Sequence, residues 1–205
     1  MTVLNSRVEP PPDSAAPRAS EPALVLVGFG LAGAPAPAGL PSLLPLAQRL
    51  AGPLALPLHR LSPLHDPNVA LAALERAVAG AAEGPLWRPD KGPAALAVLE
   101  LDPGLSLPAG GRWVEALGAW RQPCVLVIEA GQLACGWPAA GTALLQQWRV
   151  PLLGLLQWGG SWDGLARRRD GLPWLGSVVG GEAGEEQIRA LVGVLALRWQ
   201  QLDLR

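Results

Sequence analysis

The chain of 205 residues has no tyrosine, one phenylalanine (Phe29), two histidines, two cysteines and a single lysine, Lys91. Each shortage removes a class of protein. Two cysteines cannot build a disulfide framework, so the expected compartment is reducing and cytoplasmic. Cys124 and Cys135 lie eleven residues apart, with His59 and His65 far upstream, which is not the spacing of a zinc site. Charge is also scarce: 16 Lys+Arg against 17 Asp+Glu leave a net −1. That balance excludes the basic surface that nucleic acid or an anionic membrane requires. The one basic cluster, Arg167-Arg168-Arg169, reads as a solvated turn or a helix end, or as a small acidic-partner contact. The first twenty residues are polar and proline-rich, without the apolar core of a signal peptide. No charge occurs from Pro22 to Gln48, a length that would suffice for a membrane span of about 20 residues. Prolines 35, 37, 41 and 45 and glycines 28, 30, 33 and 39 break that stretch, which therefore reads as strand, loop and short helix rather than as a span.

What the sequence has in quantity is apolar residues, 50% against 16% charged, the profile of a packed globular chain. The nine tryptophans are expected in or near the core. Residues 1–21, with Pro10, Pro11 and Pro12 in a run, read as a disordered tail, and residues 22–205 as one α/β domain. Apolar runs alternate with helical periodicity along it. Strands are expected at Ala23 to Val27, Leu54 to Leu58, Ala94 to Leu101, Cys124 to Ile128, Pro151 to Leu156 and Leu172 to Val179. Helices are expected at Leu40 to Leu50 with Gly52 as the stop, after the Asp66-Pro67 start, at Arg112 to Arg121, from a Thr142 cap, and from Glu185 to Leu204. The alternation predicts a three-layer α/β/α fold with a mostly parallel sheet of about five to seven strands. Ligands in such sheets bind beyond the carboxyl ends of the strands, beginning with the first strand-to-helix turn.

That turn is Gly28-Phe-Gly-Leu-Ala-Gly-Ala-Pro35, and it fits two motifs. As G-x-G-x-x-G, Gly28, Gly30 and Gly33 follow a strand at the dinucleotide position. A helix would then have to begin at Leu31, where Pro35 and Pro37 interfere. The end of the second strand offers His59 and Arg60 in place of an acid; Arg60 would suit the 2′-phosphate of NADP. As G-x-x-x-x-G-K-[ST], glycines 28 and 33 have the spacing, but Ala34 replaces the lysine that holds phosphate and Pro35 the hydroxyl that holds magnesium. A third reading is a glycine-rich turn chosen for tightness alone.

In spacing, this turn resembles the deviant phosphate loop of the MinD, ParA and dethiobiotin-synthetase group of P-loop proteins. Cys124-Val-Leu-Val-Ile-Glu-Ala-Gly131 is similar to the strand those proteins carry before a glycine-containing loop, and Gly171-Leu-Pro-Trp-Leu-Gly176 to their late strand. The resemblance covers most of residues 23 to 180. It implies that Phe29 and Ala34 stand where the group has lysines, and that Glu129 stands where an acid acts near magnesium. A chain so altered would not hydrolyse ATP by the group's mechanism; Glu129 also reads as an ordinary solvated strand end. The expected role is therefore a non-catalytic binding or assembly partner of a protein, or a homodimer, since ParA-like domains pair through the nucleotide face. The alternatives are a ligase or ATPase using ATP and magnesium through an altered loop, and an NAD(P)-binding Rossmann domain.

Two smaller constellations complete the reading. Ser161, His65 and Asp102 offer the residue types of a hydrolytic triad, but no G-x-S-x-G turn presents the serine. Lys91, in the Pro-rich stretch after Gly84, is the cation that could reach a phosphate from another loop.

Overall fold

A computed structural model describes residues 22–30, 42–80, 92–179 and 183–203. The expected tail (1–21), the second half of the glycine-rich turn with Gly33, Ala34 and Pro35, and Lys91 lie outside the described residues, as does any helix start at Leu31.

Six strands form the sheet: β1 (Leu24–Gly28), β2 (Leu58–Leu61), β3 (Leu96–Leu99), β4 (Cys124–Glu129), β5 (Leu152–Trp158) and β6 (Trp174–Val178). All pair in parallel, in the order β2-β3-β1-β4-β5-β6. The inner strands are apolar on both sides because helices cover both faces. Along β1, Val25 and Val27 point to one face and Leu24 and Leu26 to the other. On the first face pack α2 (Pro67–Gly80), α3 (Trp113–Ala119) and α4 (Trp137–Gln147), through Leu71, Leu74, Trp113, Leu117 and Leu145. On the second pack α1 (Leu44–Leu54) and α6 (Ala183–Asp203), through Leu46, Leu50, Ile188, Leu195 and Trp199. The fold is thus three-layered α/β/α with an all-parallel sheet. Among the described residues no helix is long and apolar enough to cross a membrane.

Several element ends differ from expectation for local reasons. Helix α1 runs past Gly52 and Pro53; its stop is Ala55, in the left-handed region at φ 50°, whose N–H reaches the carbonyls of Ala51 and Gly52. Leu54 therefore belongs to the helix, and β2 begins after Pro57 rather than before it. Helix α4 starts five residues ahead of Thr142, with Pro138 in its first turn. Thr142 does not cap it: its hydroxyl donates back to the Pro138 carbonyl at 2.7 Å. The basic cluster is the last turn of α5 (Gly164–Arg169), a helix capped by Asp163 through the amides of Leu165 and Ala166. Asp66 holds the Asn68 amide at 2.8 Å at the start of α2, as its Asp-Pro signal predicts.

The order of strands fixes where a ligand could sit. The chain leaves β1 toward β2 on one side and leaves β4 toward β5 on the other. The ends of β1 and β4 therefore diverge, which makes the crevice between them the switch point of the sheet.

Candidate functional site at the glycine-rich turn

The crevice is built from three strand ends. Beyond β1, Phe29 is buried and turns its ring toward α4; Gly104 and Gly141 leave the space it fills, since a Cβ at Gly141 would stand 2.8 Å from the ring. Gly30 follows at φ 70°, a conformation that favours glycine, and a Cβ there would meet the Gln132 amide at 3.2 Å and the Trp137 ring at 3.6 Å.

From the end of β3 comes Asp102, 8% exposed. One carboxylate oxygen accepts the Gly30 N–H at 2.9 Å and the other the Gly104 N–H at 2.8 Å. Asp-Pro-Gly is a turn sequence in which the aspartate side chain holds nearby backbone. Here the same side chain also reaches across to the neighbouring strand and clamps the glycine-rich turn.

From the end of β4 come Glu129, which caps a single 3-10 turn over Ala130–Gln132, and Gln132, which ends that turn. The Glu129 carboxylate accepts the Gln132 N–H, and the Gln132 side chain accepts the Glu129 N–H at 3.0 Å, a reciprocal cap. The Gln132 Nε2 then donates to the Phe29 carbonyl at 2.6 Å and ties β4 to the turn. Glu129 Oε1 is sealed from solvent and has no donor among the described residues. Burial pushes the Glu129 carboxyl above the usual carboxylate range.

On this geometry the folded state disfavours ionised Glu129. Its folded pKa lies above the unfolded one, so its contribution favours folding at low pH and fades as pH rises through the folded value. Glu129→Gln keeps an acceptor for the Gln132 amide and removes the buried charge. It is expected to raise Tm slightly at pH 7, with the gain shrinking as pH falls and vanishing well below the ordinary glutamate value of about 4.3, where the wild-type carboxyl is protonated in both states. Melting curves of the two proteins across that range check this.

The remaining predicted residues lie elsewhere. Arg60 is on β2, two strand spacings or about 10 Å from β1. Its guanidinium donates to Glu100 at 2.6 Å, and Ser42 shares that carboxylate. In the dinucleotide strand order the second strand adjoins the first and carries the ribose contact; here β3 stands between them. The triad types are not brought together: His65 follows β2 and Ser161 follows β5, four spacings or about 19 Å apart across the sheet. Asp102 meanwhile holds backbone amides.

Two residues at this end of the sheet carried no signal of a ligand site in sequence. Gln132 looks like a loop glutamine until the cap closes. Gln157, fully buried on β5, donates from Nε2 to the carbonyls of Gly159 (2.9 Å) and Ser161 (3.0 Å) and shapes the next turn.

Among the described residues, then, the crevice joins two carboxylates, neither in an ion pair. The part of the turn from Leu31 to Pro41 contributes no charge, because its sequence holds none. The chain matches no protein-family model and no curated protein.

Proposed function

We propose that the chain is a non-catalytic P-loop-like protein, similar to the MinD, ParA and dethiobiotin-synthetase group, that acts as a binding or assembly partner of another protein or of a second copy of itself. Asp102 carries this reading. A phosphate loop works by pointing free backbone amides at phosphate oxygens. The Gly30 amide is already occupied by an internal carboxylate, which supplies an anion where phosphate would sit and repels a second one. The described residues therefore do not fit ATP with magnesium, and no step of phosphoryl chemistry is derived. Nor does NADP find its expected partner, since Arg60 stands two strands away on Glu100.

Exposed aromatic and apolar groups at the same end of the sheet support a docking role. Trp137 opens α4 and is 40% exposed; Trp162 and Leu165, just after β5, are 40% and 64% exposed. Large exposed tryptophans are over-represented at protein interfaces.

The test is a melting series with ATP and magnesium, ADP, NAD, NADP and no ligand. No shift is expected. A ligand held at a hundred times its Kd would stabilise the native state by about 2.7 kcal/mol, and a shift of that size with ATP or ADP overturns the proposal. It would favour a nucleotide-dependent ligase or ATPase with an altered loop, a reading supported by the unpartnered oxygen of Glu129. Sedimentation velocity separates the partners: a dimer dispersed by Trp137→Ser indicates a second copy, and a monomer indicates a different protein.

A further inference from the structure

We propose that the outer face of α5, formed by Trp162, Leu165, Arg168 and Arg169, docks an acidic segment of another protein that carries a bulky apolar anchor. The inference rests on the reading of the chain as a binding partner, and it names the surface and the chemistry of what that surface takes. The chain is described without a break from Gly159 to Val179, on both sides of the helix. Helix α5 is six residues long, none of them is buried, and it adds no residue to either core. Packing therefore does not account for a leucine on it.

Polar and aromatic contacts hold the helix in place instead. Asp163 accepts the amides of Leu165 and Ala166, both at 3.0 Å, and caps the first turn. In the last turn Arg167 lies 5.0 Å over the Trp174 ring of β6 and donates to Asp170 at 3.3 Å. Asp170 also accepts the Trp174 indole N–H at 3.0 Å. Trp162, just before the cap, meets Trp174 edge-on with ring centroids 6.0 Å apart. These contacts use one side of α5. Arg167 faces β6, its side chain 15% exposed. Leu165, two residues earlier, stands on the opposite side, since each helical residue turns by about 100°. Arg168 and Arg169 follow it at i+3 and i+4, where Cβ atoms stand about 5–6 Å apart. Trp162, Leu165, Arg168 and Arg169 are all exposed.

The charge on this face selects the partner. Both carboxylates of the segment are engaged: Asp163, which also feels the charge of Arg169, by two amides, and Asp170 by Arg167 and the Trp174 indole. Among the described residues Arg168 and Arg169 form no ion pair. The face is thus apolar at its centre and positive at its rim. Tryptophan and arginine are the residues that dominate binding energy at protein interfaces. A complementary segment sets a large apolar side chain against Trp162 and Leu165 and brings carboxylates to the two guanidiniums, which hold them through paired N–H donors. An anionic bilayer also attracts arginine, but surfaces that bind one carry clusters of about four to eight cations, and this face has two.

Fluorescence anisotropy with the full-length protein tests this. Three labelled, end-blocked peptides carry Leu-Phe, Leu-Leu or Trp-Leu at the centre with three glutamates on either side. In matched controls, glutamines replace the glutamates or serines replace the apolar pair. At least one acidic peptide is expected to bind saturably, by about tenfold or more over both of its controls. The double variant Arg168→Gln with Arg169→Gln is expected to weaken it by about tenfold or more, and so is Leu165→Ser. Arg198→Gln, at an exposed position of α6, is expected to leave it unchanged. The arginine variant gives an independent arm should Leu165→Ser melt early. No saturable binding of any of the three peptides, affinities equal to the controls, or affinity untouched in the arginine variant would each overturn the proposal. So would adsorption to phosphatidylserine vesicles without peptide binding, which would assign the face to a membrane. The nucleotide melting series is read separately. A shift with ATP and intact peptide binding would remove the non-catalytic reading and leave this surface, whereas no shift and no peptide binding would remove the surface alone.

Discussion

Asp102→Ala is expected to destabilise the protein by about 3 kcal/mol in urea unfolding, because it removes two charge-assisted hydrogen bonds at once. Bonds to a charged partner contribute roughly 1.5–3 kcal/mol each, and the donors left behind, the amides of Gly30 and Gly104, are part-buried. Partial rehydration of those amides keeps the sum toward the lower end. Asp102→Asn separates charge from shape. Its single oxygen can serve one amide, while its NH₂ group faces the other donor, so about half the loss or more is expected. A loss below about 1 kcal/mol for the alanine variant would mean that the clamp does not hold the turn. The same variant also bears on function. If the internal carboxylate is what keeps phosphate out, its removal frees the Gly30 amide, yet no lysine arrives with it, so nucleotide affinity is expected to remain negligible.

Gly118→Ala is expected to cost about 2–3 kcal/mol, against the usual direction for such a change. In a helix interior, alanine is normally better than glycine by about 1 kcal/mol. At Gly118 of α3 the added Cβ would stand 1.9 Å from the Trp148 carbonyl oxygen and 3.0 Å from its carbon. Those are backbone atoms at the end of α4, which cannot rotate away, so helix or strand must shift, and overpacking of this kind typically costs 1–3 kcal/mol or more. Gly193 supplies the contrast within one protein. It is exposed in α6 and a Cβ there meets nothing within 4 Å, so Gly193→Ala is expected to stabilise by about 0.5–1 kcal/mol. Equal effects at the two positions would show that α3 does not lie against the Trp148 backbone as described.

The layered α/β architecture was readable from the sequence because its signals are local. Cys124 to Ile128 announces a buried strand by composition alone, and Asp66-Pro67 announces a helix start by the chemistry of two residues. Element ends were less legible where two local rules compete. Gly52 looks like a stop, but the contacts of Leu54 with the core carry α1 one more turn, even past Pro53. Thr142 looks like a cap, yet Trp137-Pro138 starts α4 earlier and leaves the threonine hydroxyl to a carbonyl within the helix.

The crevice was legible only in part. The turn at Gly28 and Gly30 and the acid at Glu129 could be placed at strand ends, since each follows an apolar run. That Asp102 would join them could not, because it depends on β3 rather than β2 lying beside β1, and strand order is not written in local periodicity.

The strand order also bears on the chain during its synthesis. Strand β1 is made first, yet its partners come much later: Leu24 pairs with Leu96, 72 positions on, and Val25 with Cys124, 99 positions on. At 5–20 residues per second the first of these arrives roughly four to fourteen seconds after β1 is polymerised. Through that interval a wholly apolar segment waits without either neighbour. The centre of the sheet is therefore secured only once β3 and β4 have been made. A folding helper that shields apolar nascent segments would find its target at β1, and truncations ending before Cys124 would leave β1 open on one side and prone to aggregate.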